Sequence, residues 1–111
     1  MDISTAYIGL DVHSKTCTLS WIDPTGEVQR TATFSTSEQN LIEQTDQIEA
    51  NRKRIALEES PLAFWTARTL RGEVDEVVVC DARENYLISR SVRKDDEEDA
   101  RALARLLRMG A

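Results

Sequence analysis

A chain of 111 residues has room for one domain and one hydrophobic core. Its 41% hydrophobic and 31% charged residues exclude wholesale disorder. A balance of 14 Lys and Arg against 20 Asp and Glu, net −6, excludes nucleic-acid binding through a general basic surface. No apolar run reaches the ~18 residues of a membrane span, and the opening Met-Asp-Ile-Ser-Thr lacks the basic and apolar regions of a secretory signal. A cytoplasmic protein is therefore expected. Cys17 and Cys80 lie far apart without metal-ligand spacing and read as reduced core thiols.

The chain opens with strands. Residues 6–12 place Ile8, Leu10 and Val12 on one face, and residues 15–22 alternate Cys17, Leu19 and Trp21 against Thr16, Thr18, Ser20 and Ile22. Asp23-Pro24-Thr25-Gly26 has Asp, Pro and Gly at the first, second and fourth positions of a type I turn, which predicts a hairpin into a third strand over 27–34. Ser35 and Ser37 offer capping hydroxyls for a mostly polar helix carried by Leu41, Thr45 and Ile48 to about Ala50. Residues 54–58 suit a buried strand ended by an acid. Ser60-Pro61 reads as a helix start, with Leu62, Trp65, Thr69 and Leu70 before a stop at Gly72. Trp21 and Trp65 are expected to be packing residues. Residues 76–80 form an apolar run of the kind found in strands covered on both faces. A short helical or irregular piece over 82–90 and a helix from Asp96 to Arg108 complete a βββ-α-β-α-β-α order. Hairpins join the first three strands, and crossovers make the first, fourth and fifth parallel.

Four carboxylates draw attention within this order. At about 100° per residue, Ala100, Leu103 and Leu107 fall within about 40° of Asp96, and Asp99 about 60° to one side. Glu97, Glu98, Arg101, Arg105 and Arg108 occupy the other face. The last helix thus aims Asp96 and Asp99 toward its own core side, where carboxylates are costly unless paired or metal-bound. Acids in a first turn also complement the helix dipole, which accounts for Asp95, Glu97 and Glu98. Asp11 and Glu58 end the first and fourth strands. In a sheet of order 3-2-1-4-5 they leave neighbouring strands at the point where the winding reverses, although acids at strand ends are also ordinary loop residues. Four clustered carboxylates are best reconciled by hard divalent cations, Mg²⁺ or Mn²⁺. Two such ions ~4 Å apart suit phosphoryl transfer.

Tyr7-Ile-Gly-Leu-Asp11-Val-His13-Ser-Lys15, Ala56-Leu-Glu58-Glu-Ser60 and Lys94-Asp-Asp96-Glu-Glu-Asp99-Ala-Arg-Ala-Leu-Ala104 together resemble the DEDD transposase domain. This is the RuvC-like, RNase H-fold N-terminal domain of a bacterial insertion-sequence transposase family that includes the Piv-type DNA invertases. The resemblance runs from about residue 6 to 110. It implies a five-stranded mixed sheet flanked by helices, with Asp11, Glu58, Asp96 and Asp99 as a catalytic, metal-binding tetrad for two Mg²⁺ or Mn²⁺ ions. It further implies DNA as substrate, a structured guide RNA, assembly with further copies of the chain, and a second domain bearing a catalytic serine. That serine domain does not follow before Ala111, so the chain is expected to be a truncated single domain, inactive alone in recombination. The family's usual Thr before the third acid is Asp95 here, Glu97-Glu98 replace a basic and an apolar residue, and Glu59 follows Glu58. These extra acids are expected to raise carboxylate pKa values in the absence of metal.

His13, the lone histidine, reads either as a solvated loop residue or as a contact to phosphate or metal-bound water, and no carboxylate partner is assigned to it. Lys15 in the same loop, with Arg90, Arg93 and Lys94, offers candidate nucleic-acid contacts, against the plain alternative of solvated charge. No Ser-His-Asp arrangement is visible. Two competing functions remain. One is a non-catalytic nucleic-acid-binding or assembly module left by a truncated transposase. The other is a relative of the sugar-kinase and actin superfamily, whose phosphate hairpin Gly9-Leu-Asp11 could open but whose second phosphate loop is missing.

Overall fold

The computed structural model describes residues 3–81 and 95–110. Three strands come first: β1 (Thr5–Val12), β2 (Thr16–Ile22) and β3 (Val28–Ser35). Then follow α1 (Glu38–Asp46), β4 (Arg52–Glu58), α2 (Ala63–Leu70), β5 (Glu76–Cys80) and α3 (Asp96–Arg108). The strands form one sheet in the order β3-β2-β1-β4-β5. The first three are antiparallel neighbours, whereas β1, β4 and β5 run parallel. This is the expected α/β architecture of an RNase H-like fold. The piece expected over 82–90, together with Arg90, Arg93 and Lys94, lies outside the described residues.

Period-two alternation divides the sheet into two buried faces. On one, Ala6, Ile8 and Leu10 of β1 join Cys17, Leu19 and Trp21 of β2 and Ile55 and Leu57 of β4, under Leu41 of α1 and Ala63 and Leu70 of α2. Val12 and Trp65 pack against this core from its margin. On the other face, Ala56 and Cys80 meet Leu103 and Leu107 of α3, with Tyr7, Val78 and Leu106 alongside. The hydroxyl side of β2 is covered as well. Thr18 and Ser20 are fully buried, and their hydroxyls pair with those of Thr33 at 2.9 Å and Thr31 at 3.0 Å on β3. Paired in this way, they are tolerated beneath a helix.

The helix above them comes unusually close. A Cβ added to Gly9 would lie 1.8 Å from the Ala100 carbonyl oxygen and 2.6 Å from the Ala104 nitrogen. Gly9 therefore serves the approach of α3 to β1. With α3 covering it, the phosphate-hairpin reading of Gly9-Leu-Asp11 is withdrawn. At the far end of α3, the Arg108 Nε donates to the Pro24 carbonyl at 2.9 Å. That carbonyl belongs to the predicted turn, where Asp23 Oδ1 accepts from the backbone N–H groups of Thr25 and Glu27 and Gly26 has φ +94°.

Three local expectations need correction. The helix expected to reach Ala50 ends at Asp46. Its last turn tightens, with the Ile48 N–H on the Thr45 carbonyl, and Asn51 already donates to Ile3 beside β1. Ile48 is buried, but beyond the helix. Next, Ser60-Pro61 is a turn preceding α2. The Ser60 hydroxyl accepts from the Leu62 N–H at 3.3 Å, and no side chain caps the helix at Ala63. The buried face of α2 is Ala63, Thr66 and Leu70, because small residues let the helix settle on the sheet, while Trp65 is left at the margin. Finally, β5 is covered only in part: Val77 packs against one core and Val78 and Cys80 against the other, but among the described residues it is an edge strand, and Val79 is 44% exposed.

Candidate metal centre

The β1–β2 hairpin, β4 and α3 bring the candidate residues to one end of the sheet. Asp11 follows Gly9 by two residues, so its side chain faces α3. Leu10 pairs with Leu57, so Asp11 and Glu58 leave adjacent parallel strands at the same level. Asp96 opens α3, where the Asp95 Oδ1 caps the helix by accepting from the Glu98 N–H at 2.7 Å. That cap fixes where the first turn begins, and hence where Asp96 and Asp99 stand. On the outer face, Glu98 pairs with Arg101 at 3.2 Å and Arg105 at 3.4 Å, which keeps those charges away from the cluster.

The unexpected member is His13. Its Nε2 lies 3.0 Å from Asp11 Oδ2 and 3.2 Å from Asp96 Oδ1, so it bridges two carboxylates brought from opposite ends of the chain. The reading that left it without a carboxylate partner is therefore corrected. The signal was present in the sequence: in an extended strand, residues two apart project to the same side, so Asp-x-His places carboxylate and imidazole together. The loop carrying His13 is tied down. Its N–H donates to the Thr16 carbonyl at 3.0 Å, and its own carbonyl accepts the Thr36 hydroxyl at 2.6 Å. Thr36 also donates its N–H to the Lys15 carbonyl at 3.0 Å, and Lys15 is exposed beside this cluster.

Electrostatics follow from this packing. Burial pushes the Asp11 carboxyl up to about 6; the hydrogen bond and charge of His13 oppose the rise, and Asp96 and Asp99 add to it. The raised carboxylate pKa anticipated from the sequence is present at Asp11, but desolvation is its main cause, not the extra acids at positions 59, 95, 97 and 98. For His13, partial burial disfavours the charged ring, yet the hydrogen bond and charge of Asp11, with the charge of Asp96, outweigh it and hold its pKa above the ordinary value. The two carboxylates thus favour the charged form of the imidazole between them.

One ligand atom each from Asp11, His13 and Asp96 lies within 4.8 Å of the others, the spacing a bound cation needs. Among the described residues, Glu58 and Asp99 are not part of this converging group. Both stay near it: Glu58 by strand register and Asp99 by its electrostatic effect on Asp11. Two carboxylate oxygens and one imidazole nitrogen form a donor set that suits a divalent cation, with Mn²⁺ better matched to the nitrogen than Mg²⁺.

Against this geometry, comparison with protein families finds that the transposase model of the IS110-type DEDD family matches residues 8–111. The matched span contains every residue of the cluster. Comparison with curated proteins finds no match.

Proposed function

This chain belongs to the DEDD transposase family, and from that membership we propose that it is a metal-dependent catalytic domain for phosphodiester cleavage and strand transfer on DNA. The observation that carries the reading is the convergence of Asp11 and His13, from a strand and the hairpin loop after it, with Asp96 of a helix more than eighty positions further along the chain. A carboxylate such as Asp11, held beside a second one at the cost of its own desolvation, is expected where a cation is to be held.

In this reading Asp11 is the fixed ligand, anchored mid-sheet and half-buried. Asp96 is the ligand delivered by α3, and Glu58 and Asp99 complete a tetrad around one or two Mg²⁺ or Mn²⁺ ions. Bound divalent ions supply Lewis acidity to a phosphodiester and stabilise its leaving oxygen. His13 holds the two carboxylates together through its Nε2 when no cation is present. Once neutral, it can ligate alongside them or accept a proton at the scissile phosphate. Lys15, with Arg90, Arg93 and Lys94, contributes phosphate contacts. A guide RNA, a serine-bearing domain and further copies of the chain are the partners the family resemblance suggests for complete strand exchange.

Metal binding is the direct test. Titration with Mn²⁺, followed by calorimetry and by melting temperature, is expected to show binding and a rise in Tm, because an ion held only by the folded state stabilises it by mass action. At a concentration a hundredfold above Kd the gain is about 2.7 kcal/mol. Asp11→Asn combined with Asp96→Asn is expected to abolish both signals. A response that survives this double substitution sinks the assignment.

A further inference from the structure

We propose that Phe64 and Arg68 on α2 form a stacking platform for an unpaired base of single-stranded DNA at the same end of the sheet as the candidate metal centre. The inference rests on the DNA reading above and extends it to a surface on the other side of the sheet.

Phe64 is 72% exposed, while the buried face of its helix is Ala63, Thr66 and Leu70. It therefore does not belong to the core. The Arg68 guanidinium carbon lies 5.5 Å from the ring centroid, one helical turn on, which orients the ring and leaves its remaining surface to solvent. Charge distinguishes this helix. In a chain of net charge −6, residues 60–72 hold Arg68 and Arg71 and no acid, whereas α1 and α3 carry three and four acids. Topology sets the position. β4 and β5 are parallel, so α2 must run back along the sheet, and its first turn stands at the end where Glu58 and Asp11 emerge.

An exposed aromatic beside a single cation matches a nucleobase and its phosphate better than other occupants. A duplex hides its base faces, whereas an opened strand presents them, and stacking on an aromatic is worth about 1–3 kcal/mol per base. Arg68 supplies one phosphate contact, which predicts a shallow salt dependence with a slope contribution of about −0.7.

The test uses the whole 111-residue chain in metal-free buffer, with a fluorescently labelled single strand of about ten nucleotides read by anisotropy. Phe64→Ala is expected to weaken binding about tenfold or more, Phe64→Trp to retain it, and a blunt duplex to bind more weakly than the single strand. Arg68→Ala should flatten the salt dependence by about 0.7. As Phe64 is exposed, both variants are expected to fold, and each should keep the Mn²⁺-induced rise in Tm. Unchanged affinity in Phe64→Ala overturns the proposal, as does absence of single-strand binding by the wild type. Sedimentation showing that Phe64→Ala dissolves a dimer also overturns it, since the ring would then be a self-association contact. The two readings fail separately: loss of the Mn²⁺ response in Asp11→Asn/Asp96→Asn with stacking intact supports both, whereas Phe64-dependent binding without any Mn²⁺ response in the wild type removes only the metal reading.

Discussion

Asp11 carries the opposing demands on this fold in one side chain. It ends a buried strand, faces a helix and sits beside two further acids, so burial and repulsion both favour its protonated form. Its folded pKa of about 6 lies above the ~3.9 of an unfolded aspartate, so the folded state binds this proton more tightly. Stability from this group is fully present below about pH 4 and is lost as pH rises through about 6. His13, also raised, acts in the same direction: its pairing is present while the ring is charged and fades as the ring loses its proton. Asp11→Asn is therefore expected to stabilise the metal-free protein at pH 7 by roughly 1 kcal/mol, the shift being discounted for the site's access to water, and to have little effect at pH 4. Denaturant unfolding at the two pH values reads the difference. Destabilisation at pH 7 would show that the carboxylate is needed for packing or for its bond to His13 more than it suffers from burial.

At the scale of elements, the centre depends on how deeply α3 lies over β1. Gly9 sets that depth, because any side chain there meets the backbone of Ala100 and Ala104, and backbone cannot swing aside as a flexible side chain can. Gly9→Ala is expected to push α3 outward and to cost about 1–3 kcal/mol or more. Since Asp96 stands one turn before Ala100, the same displacement should pull it away from Asp11 and His13. The expected outcome is a folded but less stable variant whose Mn²⁺ affinity has dropped. Leu41→Ala provides the control, as it creates a cavity under the opposite face and should lower stability by about 2–5 kcal/mol without altering metal affinity. Equal metal affinity in Gly9→Ala and wild type would show that the depth of α3 does not position Asp96. The Asp95 cap and the Arg108 contact to Pro24 hold the two ends of this helix in register with the sheet.

Over the whole molecule, charge limits what the chain does unaided. A net charge of −6 opposes DNA, and the acid-free stretch around α2 is a small counterweight. In-line phosphoryl chemistry also requires the scissile phosphate to be held in place, which needs more cationic contacts than Lys15 and Arg68 supply among the described residues. The purified 111-residue chain is therefore expected to show no guided strand exchange and at most weak Mn²⁺-dependent nicking, assayed on supercoiled plasmid. Robust Asp11-dependent exchange by the chain alone would place the chemistry elsewhere.

Sequence determined the features set by short-range rules. Alternation located the strands, Asp-Pro-Thr-Gly located a hairpin turn, and the run from Asp96 to Arg108 identified a helix with two carboxylates on its inner side. Short hairpins and crossover connections then set which strands run antiparallel and which parallel. Helix limits were less legible. The ends of α1 and the start of α2 depend on where the chain must turn to join a neighbouring strand, which propensity does not encode. Exposure of Val79 was hidden for a similar reason, since a run of valines reads alike at the centre of a sheet and at its edge. The centre itself shows the same division. Asp11, Glu58, Asp96 and Asp99 were visible as acids at element ends, whereas His13, just beyond the strand that carries Asp11, read as a loop residue without a carboxylate partner. Only the tertiary structure decided that His13 stands between Asp11 and Asp96, because that contact joins residues more than eighty positions apart through the depth at which Gly9 admits α3.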